Sequence, residues 1–135
     1  MDNCIFCKVI KGDIPSSKVY EDNETFAFLD INPINKGHTL VVPKTHSVNL
    51  FDISENDANS LINAVIKVSK GLSKAEKCAV KVEANNGKAA GQVVFHSHFH
   101  LIPRFENDKK DSKRSHEKYE GKERDEIAER IKNAI

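Results

Sequence analysis

Nine residues, HSHFHLIPR at positions 96–104, constrain this chain more than any other stretch. Histidines stand at every second position, His96, His98 and His100, although the whole chain has only 6. Alternation is the period of a β-strand, in which residues i, i+2 and i+4 share one face. Strand rise would set neighbouring imidazoles roughly 6–7 Å apart on that face. Three readings follow: a solvated surface run or tag remnant, a strand-borne metal site of the H-x-H kind, or a row of catalytic histidines acting on one small ligand. The run is interrupted and lies mid-chain, which speaks against the first.

The rest of the chain must supply a sheet to hold that strand. A length of 135 residues suits one domain, here expected to be a core over 4–105 followed by a charged tail over 106–135. Hydrophobic residues make up 39% and charged residues 30%, ordinary for a globular protein. A net charge of +1 argues against bulk electrostatic binding to nucleic acid or a membrane surface. The apolar runs are too short to span a bilayer, and the N-terminal stretch lacks the basic and long apolar regions of a signal peptide. Three cysteines, two of them as Cys4 and Cys7 in "CIFC", point to a reducing compartment, and the protein is expected to be cytoplasmic.

Patterning predicts a short helix or turn over 4–11, stopped at Gly12. Strand pieces follow at 18–21 and 25–31, joined by the turn residues Asp22 and Asn23. "NPINKG" is a loop, and "HTLVVPK" (38–44) reads as a strand ending at Pro43. Ser54 with Asp57 resembles a capping box, and Leu61, Val65, Val68 and Leu72 form an apolar stripe, so a helix is predicted over 54–72. Strands are predicted at 78–85, breaking at Asn86-Gly87, and at 92–105, with a bend near Gly91. Ile127, Ile131 and Ile135 predict a C-terminal helix. "ENDKKDSKRSHEK" before it is expected to be a mobile loop, with Lys109, Lys110, Lys113 and Arg114 a solvated face more than a binding patch. Hairpin neighbours around one long helix predict an α+β fold with an antiparallel sheet.

Chemistry-bearing residues cluster around the histidine run. A C-x₂-C pair offers two thiolates, and a closed tetrahedral zinc site needs two more ligands. His46 and His96 could complete it; the alternative is a pair of reduced thiols without metal. Cys78 stands alone and reads as a small buried hydrophobe. His98 and His100 are suited to nucleophilic and proton-transfer work on a phosphorus centre, through a phosphoramidate intermediate. Asp30 follows an apolar strand, where a carboxylate can accept from ribose hydroxyls. Asn85 and Gln92 bracket a turn with Gly87 and Gly91 that lets backbone N–H groups approach an anion. His38 stands at a strand start beside Gly37.

At this point the chain is similar to a known superfamily. "HSHFHLI" matches the His-φ-His-φ-His-φ-φ motif, where φ is apolar, of the histidine-triad (HIT) proteins. "DINPINKGHTLVVPKTH" and "NNGKAAGQVVFHSHFHLIPR" resemble its two core blocks, and "CIFCKVIKGDIPSSKVYEDNETFAFLDI" resembles the N-terminal block of its nucleotide-binding branch and of bacterial HIT proteins. The resemblance implies a mostly antiparallel five-stranded sheet with one long helix and a C-terminal helix, the sheet extended by homodimerisation. It implies hydrolase or transferase chemistry on the α-phosphate of a nucleoside substrate, with an AMP-like product. His98 would be the nucleophile that becomes nucleotidylated, His100 would contact the phosphate, and His38 would be a further active-site histidine. Asp30 would hold the ribose with Ile31 beside the base, and Asn85, Gly91, Gln92 and Val93 would line the phosphate and leaving-group side. Cys4, Cys7, His46 and His96 would hold a structural zinc.

Two positions depart from the pattern. Ser97 fills an apolar position, on the strand face opposite the imidazoles. Val93 stands where many members carry Ser or Thr, so a leaving group would lose a hydroxyl donor. The leading reading is a hydrolase of purine nucleoside phosphoramidates or related adenylates. The alternatives are a dinucleoside polyphosphate hydrolase, or a nucleotide- or partner-binding protein with vestigial activity. The helix over 54–72 carries apolar residues beyond one stripe, Ala58, Ile62 and Ile66 among them. Its second side would meet a partner in a homodimer or, alternatively, the C-terminal helix.

Overall fold

The computed structural model describes residues 3–110 and 115–135. Its element order is α1 (Ile5–Lys11), β1 (Lys18–Glu21), β2 (Thr25–Leu29), β3 (Thr39–Pro43), α2 (Glu55–Glu76), β4 (Ala79–Glu83), a 3₁₀ turn (Lys88–Ala90), β5 (Phe99–Arg104) and α3 (Glu123–Ala134). The five strands form one antiparallel sheet in the order β1-β2-β3-β5-β4, the predicted α+β architecture.

Strand alternation divides the core in two. Ala27, Leu29, Val41 and Leu101 point to one face, where α2 and α3 cover them with Leu61, Val65, Val68, Leu72, Ile127 and Ile131. Phe26, Phe28, Leu40 and Val42 point to the other face and meet Phe6 and Val9 of α1. Strands β2 and β3 are therefore buried at every position, as strands covered on both sides are. The α1 face holds the functional residues, because His100 alternates with Phe99 and Leu101.

Helix α2 starts as predicted: Ser54 is the N-cap and accepts from the Asp57 N–H at 3.1 Å. It runs a turn further than predicted, because nothing breaks it before Lys77, which closes it in the left-handed region at φ 52°. Helix α3 lies against the flank of α2 that carries Gly71, where an added Cβ would stand 2.5 Å from Ile135 Cγ1. The C-terminal helix thus takes one side of α2. Ile62 and Ile66, at 44% and 48% exposure, remain uncovered on the other.

Several predicted bounds shift. Strand β5 begins at Phe99, so the predicted strand over 92–105 is half irregular, and of the three histidines only His100 lies in it. The reason is competition for the backbone: the Ser97 N–H donates to Ser47 O at 2.8 Å, outside the sheet. Strand β2 stops at Leu29, ahead of Asp30, and β3 starts after His38. Cys78 falls between α2 and β4 and is half-buried, not fully buried. Burial pushes its thiol up to about 11, so it is inert as a thiolate. Among the described residues no helix is long and apolar enough to cross a membrane.

Candidate functional site

The N-terminal helix carries the first cluster. Cys4 is the N-cap of α1, and its Sγ accepts from the Cys7 N–H at 3.4 Å, so one turn of helix sets both sulfurs side by side. His46 follows β3, and His96 is fully buried. His96 Nε2–H donates to the Pro43 carbonyl at 2.8 Å, which leaves the lone pair on Nδ1. That Nδ1 lies 3.2 Å from His46 Nδ1, 3.3 Å from Cys4 Sγ and 3.5 Å from Cys7 Sγ; Cys7 Sγ is also 3.5 Å from His46 Nδ1.

Four donor atoms therefore converge within 4.8 Å of one another. A tetrahedral zinc with bonds of about 2.0–2.3 Å sets its ligand atoms roughly 3.3–3.8 Å apart. The observed separations of 3.2–3.5 Å fit that frame closely, and the contact of His96 Nε2–H with the Pro43 carbonyl is of the kind that orients metal-bound imidazoles. Burial raises the Cys7 thiol, and neighbouring Cys4 adds to it. Burial lowers His96 to about 4. Both shifts have one leading cause, burial that disfavours the charged form of each group.

The second cluster lines a cavity of about 470 Å³, a size suited to a small ligand. Ile5, Phe6, Val9 and Ile14 close one end with apolar surface, and His98 and His100 stand within the same cavity. The rings of His98 and His100 are 4.9 Å apart between centroids, closer than an ideal strand would place them, because His98 precedes β5. His98 Nδ1–H donates to the His96 carbonyl at 2.6 Å, so Nε2 carries the lone pair. Phe6 packs edge-on against the His98 ring at 5.1 Å. Burial lowers the pKa of His98, outweighing the opposite pull of the Asp30 carboxylate, and keeps the imidazole neutral.

His38 lies behind this pair, 2% exposed. The Ile34 N–H donates to His38 Nδ1 at 3.1 Å, which puts the proton on Nε2. That nitrogen is 3.0 Å from His100 Nδ1 and 3.7 Å from Asp30 Oδ2. With His100 Nδ1 accepting from His38, the His100 proton resides on Nε2. One backbone N–H thus propagates a tautomer through two rings. Asp30, His38 and His100 also lie close enough for a cation, but a cation would have to displace the Nε2 proton that the Ile34 contact enforces. Burial raises the pKa of Asp30, and the Asn32 N–H donates to its Oδ1 at 2.9 Å.

Of the accessory residues, Ile31, Asn85, Gly91 and Val93 line the cavity with Asp30. Ile31 and Val93 are strongly exposed at its rim, at 73% and 84%. Asn85 Nδ2 reaches the Gly91 carbonyl across the loop at 3.4 Å. Gln92 stands apart from this set. It is buried and does not line the cavity; its amide accepts from Gly87 N–H and Asn49 Nδ2 and donates to the carbonyls of Val48 and Val94. The N–H groups of Gly91 and Gln92 also turn inward, to Lys88 O and Gly87 O. The glycine turn therefore shapes the wall through its fold and does not aim those two donors at an anion. Ser97, the apolar-position departure, is buried and satisfied by Ser47, Oγ to Oγ at 2.6 Å.

The sequence reading missed His116. Its segment was expected to be a mobile loop, yet the ring lines the cavity and Nδ1–H donates to the Asn32 carbonyl at 2.8 Å. Distance from the motif hid it, and only the count of six histidines against five with a role could have flagged it. Lys113 and Arg114 of the expected basic face lie outside the described residues. Lys110 Nζ is engaged with Ser115 and Glu117.

A neutral imidazole beside a second, tautomer-fixed imidazole, both open to one cavity on an antiparallel sheet, defines a histidine-lined small-ligand site. A family model described as the HIT domain matches residues 11–107, and the chain belongs to the HIT family. It is 50% identical over 105 residues to "Protein hit" of Bacillus subtilis, covering 77% of this chain and 72% of that protein. It is 44% identical over 107 residues to the adenosine 5′-monophosphoramidase of Candida albicans, covering 76% of this chain and 70% of that protein. Among solved structures, a Hit-like protein from Bartonella henselae superposes with TM-score 0.90 at 38% identity, over 100% of this chain and 98% of that one. A zinc-bound histidine triad protein from Mycobacterium smegmatis does so with TM-score 0.87 at 32% identity, over 98% and 93%.

Proposed function

We propose that this chain hydrolyses purine nucleoside phosphoramidates or related adenylates at the α-phosphate, through a nucleotidylated His98, releasing a nucleoside monophosphate. The observation that carries this reading is the 2.6 Å contact of His98 Nδ1 with the His96 carbonyl, which holds the lone pair on Nε2 inside the cavity. The relative named as an adenosine 5′-monophosphoramidase supports the substrate class.

The steps follow from the tautomers. The Nε2 lone pair of His98 attacks phosphorus and forms an N–P bond. The bond from phosphorus to the leaving group breaks, and its electron pair departs with that group. His98 then carries positive charge, which the His96 carbonyl stabilises through Nδ1–H. His100, protonated on Nε2 because its Nδ1 accepts from His38, is placed to donate a hydrogen bond to a phosphoryl oxygen, and the departing group takes its proton from solvent. Water next attacks phosphorus and loses one proton to solvent, and the P–N bond breaks so that His98 leaves with its lone pair restored. Asp30 accepts from the sugar, and the apolar end formed by Ile5, Phe6 and Val9 receives the base. Val93 offers no hydroxyl to the leaving group, so a basic amine leaves more slowly than from a site with Ser or Thr there.

Cys4, Cys7, His46 and His96 are proposed to hold a zinc ion that cross-links α1 to the sheet and takes no part in the reaction. The chain is further proposed to form a homodimer through the β4 edge and the Ile62–Ile66 flank of α2. Incubation with adenosine 5′-phosphoramidate, a lysyl-adenylate and diadenosine polyphosphates, with assay for AMP, tests the function. AMP release from the first two is the expected result; release only from the polyphosphates, or from none, overturns the reading.

A further inference from the structure

The charged segment after β5 is fastened to the loop that joins Asp30 to His38. Asp108 accepts from Asn35 Nδ2 at 3.1 Å and from the Arg104 guanidinium. His116 Nδ1–H donates to Asn32 O at 2.8 Å, and the next residue's N–H, Glu117, donates to Pro33 O at 2.7 Å. Further on, Tyr119 Oη accepts from the Gly37 N–H at 2.9 Å, and Lys36 pairs with Glu123 at 3.0 Å. Beyond the Asp108 contact, four more thus hold the loop between Asn32 and Gly37, and each of these four takes a backbone group or the one lysine of that loop. The first of them turns an imidazole toward the cavity.

That imidazole has one nitrogen committed and one not used for anchoring. With Nδ1–H on the Asn32 carbonyl, the neutral ring carries its acceptor lone pair on Nε2. Asp30 shares the same cavity wall, and one of its oxygens already accepts from Asn32 N–H. Burial raises the Asp30 pKa, and His116 in its protonated form pulls it the other way, so the two groups lie within electrostatic reach. The cavity therefore presents two acceptors, a carboxylate oxygen and an imidazole nitrogen, both anchored on the backbone of Asn32. A ligand that matches two acceptors of one cavity lining offers two hydroxyl donors, and a ribose cis-diol carries them side by side.

We propose that His116 is a sugar-recognition residue paired with Asp30, its Nε2 accepting one hydroxyl of a ribose cis-diol while Asp30 accepts the other. This deepens the nucleotide reading of the cavity and rests on it. The consequence is discrimination of ribonucleotides from deoxyribonucleotides by a residue of the C-terminal segment, far in sequence from the histidine run.

The test is titration of AMP, 2′-deoxy-AMP and 3′-deoxy-AMP into the wild-type protein, His116→Ala and His116→Gln. The wild type is expected to prefer AMP over each deoxy analogue. His116→Ala should weaken AMP by about fivefold, the worth of one neutral hydrogen bond. It should leave one of the two deoxy analogues unchanged, so that preference against that analogue disappears. His116→Gln, which keeps an acceptor oxygen, should restore part of it. In turnover the loss should fall on KM, with kcat within about twofold. Equal losses for all three nucleotides would make His116 a structural hook and overturn the proposal, as would unchanged AMP affinity. Normal AMP binding in such a result leaves the reading of the cavity standing. A wild-type protein that binds none of the three nucleotides overturns both.

Discussion

His96 and His98 are two residues apart, yet they are prepared for opposite work. His96 gives its Nε2–H to the Pro43 carbonyl and keeps a lone pair on Nδ1, facing two sulfurs and His46. His98 gives its Nδ1–H to the His96 carbonyl and keeps a lone pair on Nε2, facing the cavity. The two rings have the same chemistry and both are neutral, since burial lowers both pKa values. Which carbonyl each ring meets decides which nitrogen can act. The first cluster brings its four donors within 4.8 Å of one another; the second opens onto an apolar cavity. A histidine's role here is set by its hydrogen-bonded nitrogen, and the motif alone does not specify it.

The comparison is broken most severely at His98. His98→Asn should lower kcat by at least about 10³-fold, since covalent catalysis is lost as a whole and not in part. AMP binding should persist, because the sugar and base walls are untouched; titration calorimetry on the variant checks both halves. A clean preparation with near-normal kcat would move the nucleophile elsewhere.

The other cluster should answer in stability. Metal analysis is expected to give one zinc per chain. Cys4→Ser or chelator treatment should lower the melting temperature markedly, a loss of several kcal/mol, because binding free energy of a structural zinc is folding free energy. Intrinsic turnover per folded molecule should change little at temperatures where the chelated protein stays folded. Loss of turnover with the fold intact would place the metal in the chemistry.

A smaller effect separates the clusters by pH. His98 is lowered below the ordinary imidazole value of 6.5, and its neutral form is the reactive one. The acid limb of kcat/KM is therefore expected below that value, with activity falling only as His98 becomes protonated. Asp30→Asn removes the carboxylate that pulls this pKa upward, so the limb should move further toward acid. His96 also has a depressed folded pKa, at about 4. In chelated protein its contribution to stability is complete above the unfolded value near 6.5 and is lost as pH falls toward 4. Melting across that window reads it directly.

The smallest effect concerns the surface that neither cluster uses. Val82 on the β4 edge is 44% exposed, and Ile62 and Ile66 of α2 are likewise uncovered, at 44% and 48%. Ile66→Glu with Val82→Lys should convert the proposed dimer to monomer in sedimentation, with kcat changed no more than a few-fold. A wild-type protein that is monomeric at all concentrations would remove the dimer.

Much of this protein was legible before any coordinates. Local signals determined the elements: Gly12 stops α1 at φ 86°, Ser54 caps α2, and the apolar runs "TFAFL" and "TLVVP" made strands that are buried on both faces. The histidine spacing and "CIFC" identified the residue types of both clusters, because ligand and nucleophile chemistry are properties of side chains. Tertiary structure decided what depends on a distant partner. Gln92 became a fully bonded strut because loop 46–49 crosses it, and Ser97 became tolerable because Ser47 meets its hydroxyl. The irregular stretch before Phe99 arose because the Ser47 carbonyl outcompeted the sheet for the Ser97 N–H. His116 joined the cavity only through the Asn32 carbonyl, 84 residues away in sequence. No periodicity encodes such pairings: a hydrogen bond depends on where two backbones meet, and that is set by the packing of the whole sheet.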